Sequence, residues 1–177
     1  MFDVSERRER TEMCRVNITM NPNGDTRTAD HIPSIEEFDT ANKSHIKHVQ
    51  KIAEEYAKRI PIEIMWHDIT KVQDPYRSMF YRDMVKTMSG DMTFEDGEWA
   101  KIHYSYERHH LNRNCPEDVH WIDVLEMIID CVAAGLARSG SIRPIQIDPE
   151  VLTRAVENTA SYIAEYIRLL DKEGNDL

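Results

Sequence analysis

The sequence predicts an all-α protein: a bundle of about six helices behind a short N-terminal hairpin or arm. Three observations predict it. From residue 44 onward, apolar residues recur at three- and four-residue spacing. The periodic stretches are punctuated by helix starters and stoppers, namely Pro61, Asp74-Pro75, Gly90, Pro116, Gly140, Asp148-Pro149 and Gly174. Strand-like alternation is confined to "RVNITM" at 15–20.

Taken in order, residues 1–40 form the arm. "RVNITM" reads as a strand, "NPNGD" (21–25) as a turn, and "TRTAD" (26–30) as either a returning strand or loose chain. "HIPSIEEFDTANKS" is a connector. Residues 41–177 form the helical domain. Its first helix, "SHIKHVQKIAEEYAKRI" (44–60), takes Ser44 as N-cap and stops at Pro61. "IEIMWHDITKV" (62–72) is the second helix. "DPYRSMFYRDMVKTMSG" (74–90) is the third, opened by Asp-Pro and closed by Gly90. The fourth lies in "TFEDGEWAKIHYSYERHHLN" (93–112), from near Glu95 to Glu98. Pro116 opens a long amphipathic fifth, ended by Gly140. The sixth runs through "DPEVLTRAVENTASYIAEYIRLLDKEG" (148–174).

A chain of 177 residues with 41% hydrophobic and 31% charged residues fits one ordinary globular domain. The net charge of -10 disfavours nonspecific DNA or RNA binding, which rests on neutralising phosphates. A small anionic substrate stays compatible with it, given a metal and a few local cations. No apolar run approaches the ~18 residues of a membrane span. "MFDVSERRERTEM" has no apolar signal core, so a cytoplasmic location is expected. The three cysteines, Cys14, Cys115 and Cys131, are widely spaced and form no CxxC pair, which fits reduced thiols.

Chemistry-bearing residues cluster in "WHDITK" (66–71). An ionised aspartate beside an imidazole, on a hydrophobic approach of Ile62, Ile64, Met65 and Trp66, is costly to bury unless something pairs with it. A divalent metal is the economical partner. At ~100° per residue, His45 falls within the apolar arc of the first helix and His48 on its polar flank. His45 is therefore expected to face His67 and Asp68. On the fifth helix Asp123, Glu126 and Asp130 share a face that lacks i+4 basic partners, so a solvated acidic stripe gives way to a ligand role for Asp130, with Asp123 as competitor and Glu126 facing the substrate. In "YERHHLNRN" (106–114), His109 and His110 are candidates for a second metal or for acid and substrate contacts. Arg108 and Arg113 are the local anion binders. This donor set suits Mn, Fe, Co, Ni or Zn, and such an ion equips a hydrolase.

The ordered pattern resembles the HD-domain superfamily of metal-dependent phosphohydrolases. It is carried by "HIKHV", "HDITK", "HHLNRN", "DVLEMIIDCVAA" with "SGSI", and "ENT". The stretch from His45 to about Thr159 looks closer still to an uncharacterised HD-like family common in phage and bacterial genomes, so a phage-encoded protein in a host cytoplasm is one expectation. The resemblance implies an HD-like helical fold, with His45, His67, Asp68 and Asp130 on the first metal. It implies Lys71 near the substrate phosphate or the nucleophilic water. In place of a His-Pro-Glu run after the histidine pair, this chain has "NRNCPED". The expected substrate is a small nucleotide, a mono- or triphosphate. A two-metal cyclic-nucleotide or oligonucleotide phosphodiesterase and an inactive HD-like binding protein are the alternatives. The apolar and aromatic content suggests a homodimer.

Overall fold

The computed structural model describes residues 13–21 and 29–177. Helix accounts for 59% of them and strand for one short parallel pair, so the fold is mostly helical as expected. The chain forms two compact units. One is described over 61–159, the other over 13–21, 29–60 and 160–177. Among the described residues no helix is long and apolar enough to cross a membrane.

The second unit contains β1 (Val16–Thr19), α1 (Ile35–Ala57) and β2 (Ile167–Leu170). The helix α1 begins at Ser34, ten residues before the expected Ser44 cap, and so runs across the 40/41 boundary. The cause is a capping box. The Glu37 N–H donates to Ser34 Oγ at 3.2 Å, and the Ser34 N–H donates to Glu37 Oε2 at 2.8 Å. Ser34→Ala is expected to cost ~1 kcal/mol, read as a lower urea midpoint at constant slope. The buried face of α1 is set at Ala41, so His45 is exposed and His48 half-buried, the reverse of the expected orientation. The expected hairpin turn falls on residues 22–28, outside the described residues. The described partner of β1 is β2, parallel, with Val16 opposite Ile167. The last helix therefore ends at Glu165 and does not continue toward Gly174. Ladder pairing with a strand about 150 positions earlier in sequence overrides the local helical pattern. Arg59 lies 3.9 Å over the Tyr162 ring, a cation–π contact that suits its burial.

The first unit holds α3 (Ile69–Val72), α4 (Tyr76–Met88), a 3-10 turn (Phe94–Asp96), α5 (Glu98–Tyr106) and α6 (Trp121–Ser139). The chain enters it within α2 (Arg59–Ile64) and leaves within α7 (Pro149–Glu165). Its apolar core joins Leu111, Val119, Val124, Met127 and Ala155. The single helix expected over 62–72 is broken at Asp68, which sits in the left-handed region at φ 56°, ψ 25°. Aspartate tolerates that conformation better than most residues. Glu107 holds it there by accepting from the Asp68 N–H at 3.2 Å, the Thr70 N–H at 3.4 Å and the Thr70 hydroxyl at 3.1 Å. The hydrophobic approach does not bury the dipeptide, because Ile62, Met65 and Trp66 are themselves exposed. The helix α5 also stops early, at Tyr106, so His109 and His110 lie in the turns that follow rather than on a helix.

Candidate metal centre

Four elements bring donors together within the first unit. The turn before α3 supplies His67 and Asp68, α5 supplies His103, the turns after it supply Glu107, His109 and His110, and α6 supplies Glu126 and Asp130. The stripe on α6 faces inward at Asp123 and Glu126, both about 1% exposed, so the solvated reading fails there. Asp123 is fully engaged: Arg108 Nε and Nη2 donate to its two oxygens at 2.9 and 3.1 Å, and the His120 N–H donates to Oδ2 at 2.8 Å. That takes Asp123 out of competition for a metal. It also turns Arg108, expected to contact substrate, into a buried structural cation that reaches Asp118 as well. Arg113 is exposed and pairs with Glu95 at 3.3 Å.

Metal bonds of about 2.1 Å place neighbouring donor atoms about 3.0–3.4 Å apart in tetrahedral or octahedral geometry. Several pairs here approach that spacing without a metal. His67 Nε2 is 3.3 Å from Asp68 Oδ2 and 3.5 Å from Asp130 Oδ1. His103 Nε2 is 3.5 Å from Asp68 Oδ1. Glu126 Oε1 is 3.0 Å from His67 Nδ1 and 3.2 Å from His109 Nδ1. Among the described residues, four overlapping donor groups result: His67–His109–Glu126, Asp68–His109–His110, His67–Asp68–Asp130 and Asp68–His103–Glu107. His45 belongs to the second unit and is in none of them.

The donor set fits a cation on a further observation. Asp68 Oδ1 is buried without a hydrogen bond, and so are both ring nitrogens of His109. The 3.2 Å approach of His109 Nδ1 to Glu126 lacks the alignment of a hydrogen bond. His109 Nε2 lies 3.9 Å from Asp68 Oδ1. An uncommitted carboxylate oxygen and an uncommitted imidazole nitrogen, both buried and facing each other, are costly until something positive sits between them.

A proton on His67 offsets part of the carboxylate charge without reaching those atoms. Burial opposes the imidazolium of His67, but its bonds to Asp68 and Glu126 outweigh burial and raise it to about 10. Burial likewise opposes the Asp68 carboxylate, yet His67 and Lys71 together hold that carboxyl well below its usual range. Burial, reinforced by His110, pulls His103 down to about 2. Burial, reinforced by His109, pulls His110 to about 3. Burial raises Glu107. The neutral pair is bonded, His110 Nε2 to His103 Nε2 at 2.7 Å, while His103 Nδ1 meets Thr70 Oγ1 at 2.7 Å. Where Glu107 is ionised, the Thr70 proton goes to it, so His103 Nδ1–H must donate to Thr70. His103 Nε2 then accepts the His110 Nε2–H at 2.7 Å and lies 3.5 Å from Asp68 Oδ1.

A pH dependence follows. His67 is raised when folded, so its contribution to the metal-free fold is complete below about 6.5 and is lost as pH rises through about 10. A metal held through His67 would have to displace that proton. Its apparent affinity is expected to rise about tenfold per pH unit between pH 7 and 9, while the melting temperature of the metal-free protein falls. Calorimetry in buffers of different ionisation enthalpy checks this by counting about one released proton per ion at pH 7. A count of zero refutes it.

Sequence reasoning missed His103 and Glu107. Their signal was available: they stand four residues apart, on one face of a helical pattern. The chain matches no family model, no curated protein and no solved structure.

Proposed function

We propose that the chain is a metal-dependent phosphohydrolase of the HD-domain type that acts on a small nucleotide. One observation carries the reading: Asp68 turns one oxygen toward His67 and Lys71 and leaves the other, which is buried, unbonded opposite His103 and His109. A divalent transition ion at such a set lowers the pKa of a bound water and polarises a phosphoryl oxygen. Asp130 and Glu126 complete the carboxylate side, and His103 and His109 stand where the sequence pattern expected His45.

The chain's own residues supply the rest. Lys71 is ion-paired to Asp68, which keeps its ammonium beside the donor cluster. A cavity of about 350 Å³ opens next to that cluster and includes His109, His110, Arg113 and Asp130 in its wall. Its size suits a phosphate group rather than a polymer. Arg113 can leave Glu95 for a ligand at little cost, because both partners are about half exposed and such pairs are weak. His110, neutral and half-buried, offers a hydrogen-bond contact to the phosphoryl oxygens.

The test is purified protein supplied with Mn or Co and a panel of nucleoside mono- and triphosphates. Release of phosphate, pyrophosphate or triphosphate is expected. Bound metal without release from any nucleotide rejects the hydrolase and leaves a binding protein. A second reading, a two-metal phosphodiesterase, is favoured by the way the two Asp68 oxygens face different imidazoles. Two ions per chain by elemental analysis, with cleavage of a phosphodiester, would select it.

A further inference from the structure

A second cavity of about 320 Å³ adjoins the first. The two share His110 and Arg143. The second is walled by Phe80, Phe94, Trp99 and Tyr104, with Lys71 at its cluster side. Its rings are already stacked: Phe80 lies 4.1 Å from Trp99 at 29°, and Trp99 lies 4.3 Å from His103 at 19°. The Trp99 Nε1–H donates to the Thr70 carbonyl at 3.0 Å, so this wall is tied to the same turn that presents Asp68.

Arg143 is the cation common to both cavities. Among the described residues no carboxylate pairs with it. It sits on the segment after α6, whose position is fixed from below. The Arg143 N–H donates to the Cys131 carbonyl at 3.2 Å. Gly135, buried in α6, lets the segment lie directly on the helix: a Cβ there would stand 2.5 Å from the Ser141 carbonyl oxygen and 2.6 Å from the Arg143 nitrogen. Glycine inside a helix is unfavourable relative to alanine, and here the close approach of Arg143's backbone is what requires it.

The geometry points to Arg143 as the anion-holding residue of a ligand whose planar ring lies in the aromatic cavity, the class being a phosphoryl or phosphonyl group attached near an aromatic ring. This rests on the reading of the first cavity as a phosphate site, and it assigns the ring a place and the anion a new partner. Guanidinium is suited to phosphoryl oxygens, and the half-buried rings of Phe80, Phe94 and Tyr104 offer surface to a further ring, with the buried Trp99 behind Phe80.

The test compares two non-hydrolysable probes that share the anion and differ by the ring, phenylphosphonate and methylphosphonate. Binding is measured by calorimetry on metal-loaded and chelator-treated protein. Wild type is expected to prefer phenylphosphonate by ~10-fold or more. Arg143→Gln is expected to weaken both probes by ~10-fold or more, with helical circular dichroism unchanged. Phe94→Leu is expected to reduce only the preference for the ring. Gly135→Ala is expected to act like Arg143→Gln although the guanidinium is still present. No binding by wild type, equal binding of the two probes, or an unaltered Arg143→Gln protein overturns the inference. This pattern without nucleotide turnover would reject the hydrolase and keep the site. Turnover with an unchanged KM in Arg143→Gln would do the reverse.

Discussion

Asp68→Asn should abolish tight divalent-metal binding, and with it any turnover, while leaving the helical content in place. The substitution keeps size and shape. Asparagine also tolerates the left-handed backbone at φ 56°, so the turn held by Glu107 need not move. What changes is the charge and one oxygen. Asp68 contributes to three of the four donor groups. Its Oδ2 serves His67 and Lys71, and its Oδ1 is the buried, unbonded atom opposite His103 and His109. An amide nitrogen cannot ligate, and the remaining amide oxygen can face only one side. A loss of at least ~1000-fold in affinity is expected when a charged ligand at the centre of a site goes. Dialysis followed by elemental analysis reads this directly. Retention of one equivalent of metal by the variant would show that the ion, if any, sits elsewhere. Asp130→Asn offers a graded comparison, because Asp130 is half-buried, enters one group and leaves Glu126 in place. It should weaken metal binding by a smaller factor.

Much of this cluster was legible from residue type and spacing alone. His67 and Asp68 stand out as a dipeptide. Glu126 and Asp130 declare themselves by four-residue spacing without basic partners, and the structure turns Glu126 fully inward. The left-handed turn that aims Asp68 was not legible, because its cause is Glu107, 39 residues away. Without that carboxylate the local pattern of "IEIMWHDITKV" favours a continuous helix. His45 misled for a related reason. The apolar arc that contains His45 is not the buried face of α1: Ile46 and Val49 are exposed, and the buried position is Ala41. Burial then follows what packs on α1, not the moment of its second half. The strand β2 was hidden because "IRLL" extends a helical period smoothly, and only the parallel ladder with β1 converts it. Arg143 carried no local signal, since its importance comes from the contact of its segment with Gly135.

Asp123→Ala is expected to be the most destabilising single change in the first unit, by about 3–5 kcal/mol. Asp123 and Arg108 are 2% and 3% exposed at their side chains and meet through two hydrogen bonds. Truncating Asp123 strands a buried guanidinium. Among the described residues its remaining partners are Asp118, whose side chain is 64% exposed, and the Asp118 carbonyl. The same change removes the acceptor for the His120 N–H at the start of α6, and a lost cap adds ~1 kcal/mol. Because a domain's whole stability is of order 5–15 kcal/mol, the urea midpoint should fall by a large fraction of its value. Replacing both partners, as in Arg108→Met with Asp123→Leu, should cost clearly less than Asp123→Ala alone, since no charge is then left buried. If the double variant is as unstable as the single one, the penalty comes from the helix start and not from the stranded cation. The α6 start also positions Glu126 and Asp130, so Asp123→Ala should weaken metal binding as well. That loss differs from the one in Asp68→Asn: excess metal should raise the melting temperature of Asp123→Ala, through binding to the folded form, and should leave that of Asp68→Asn unmoved.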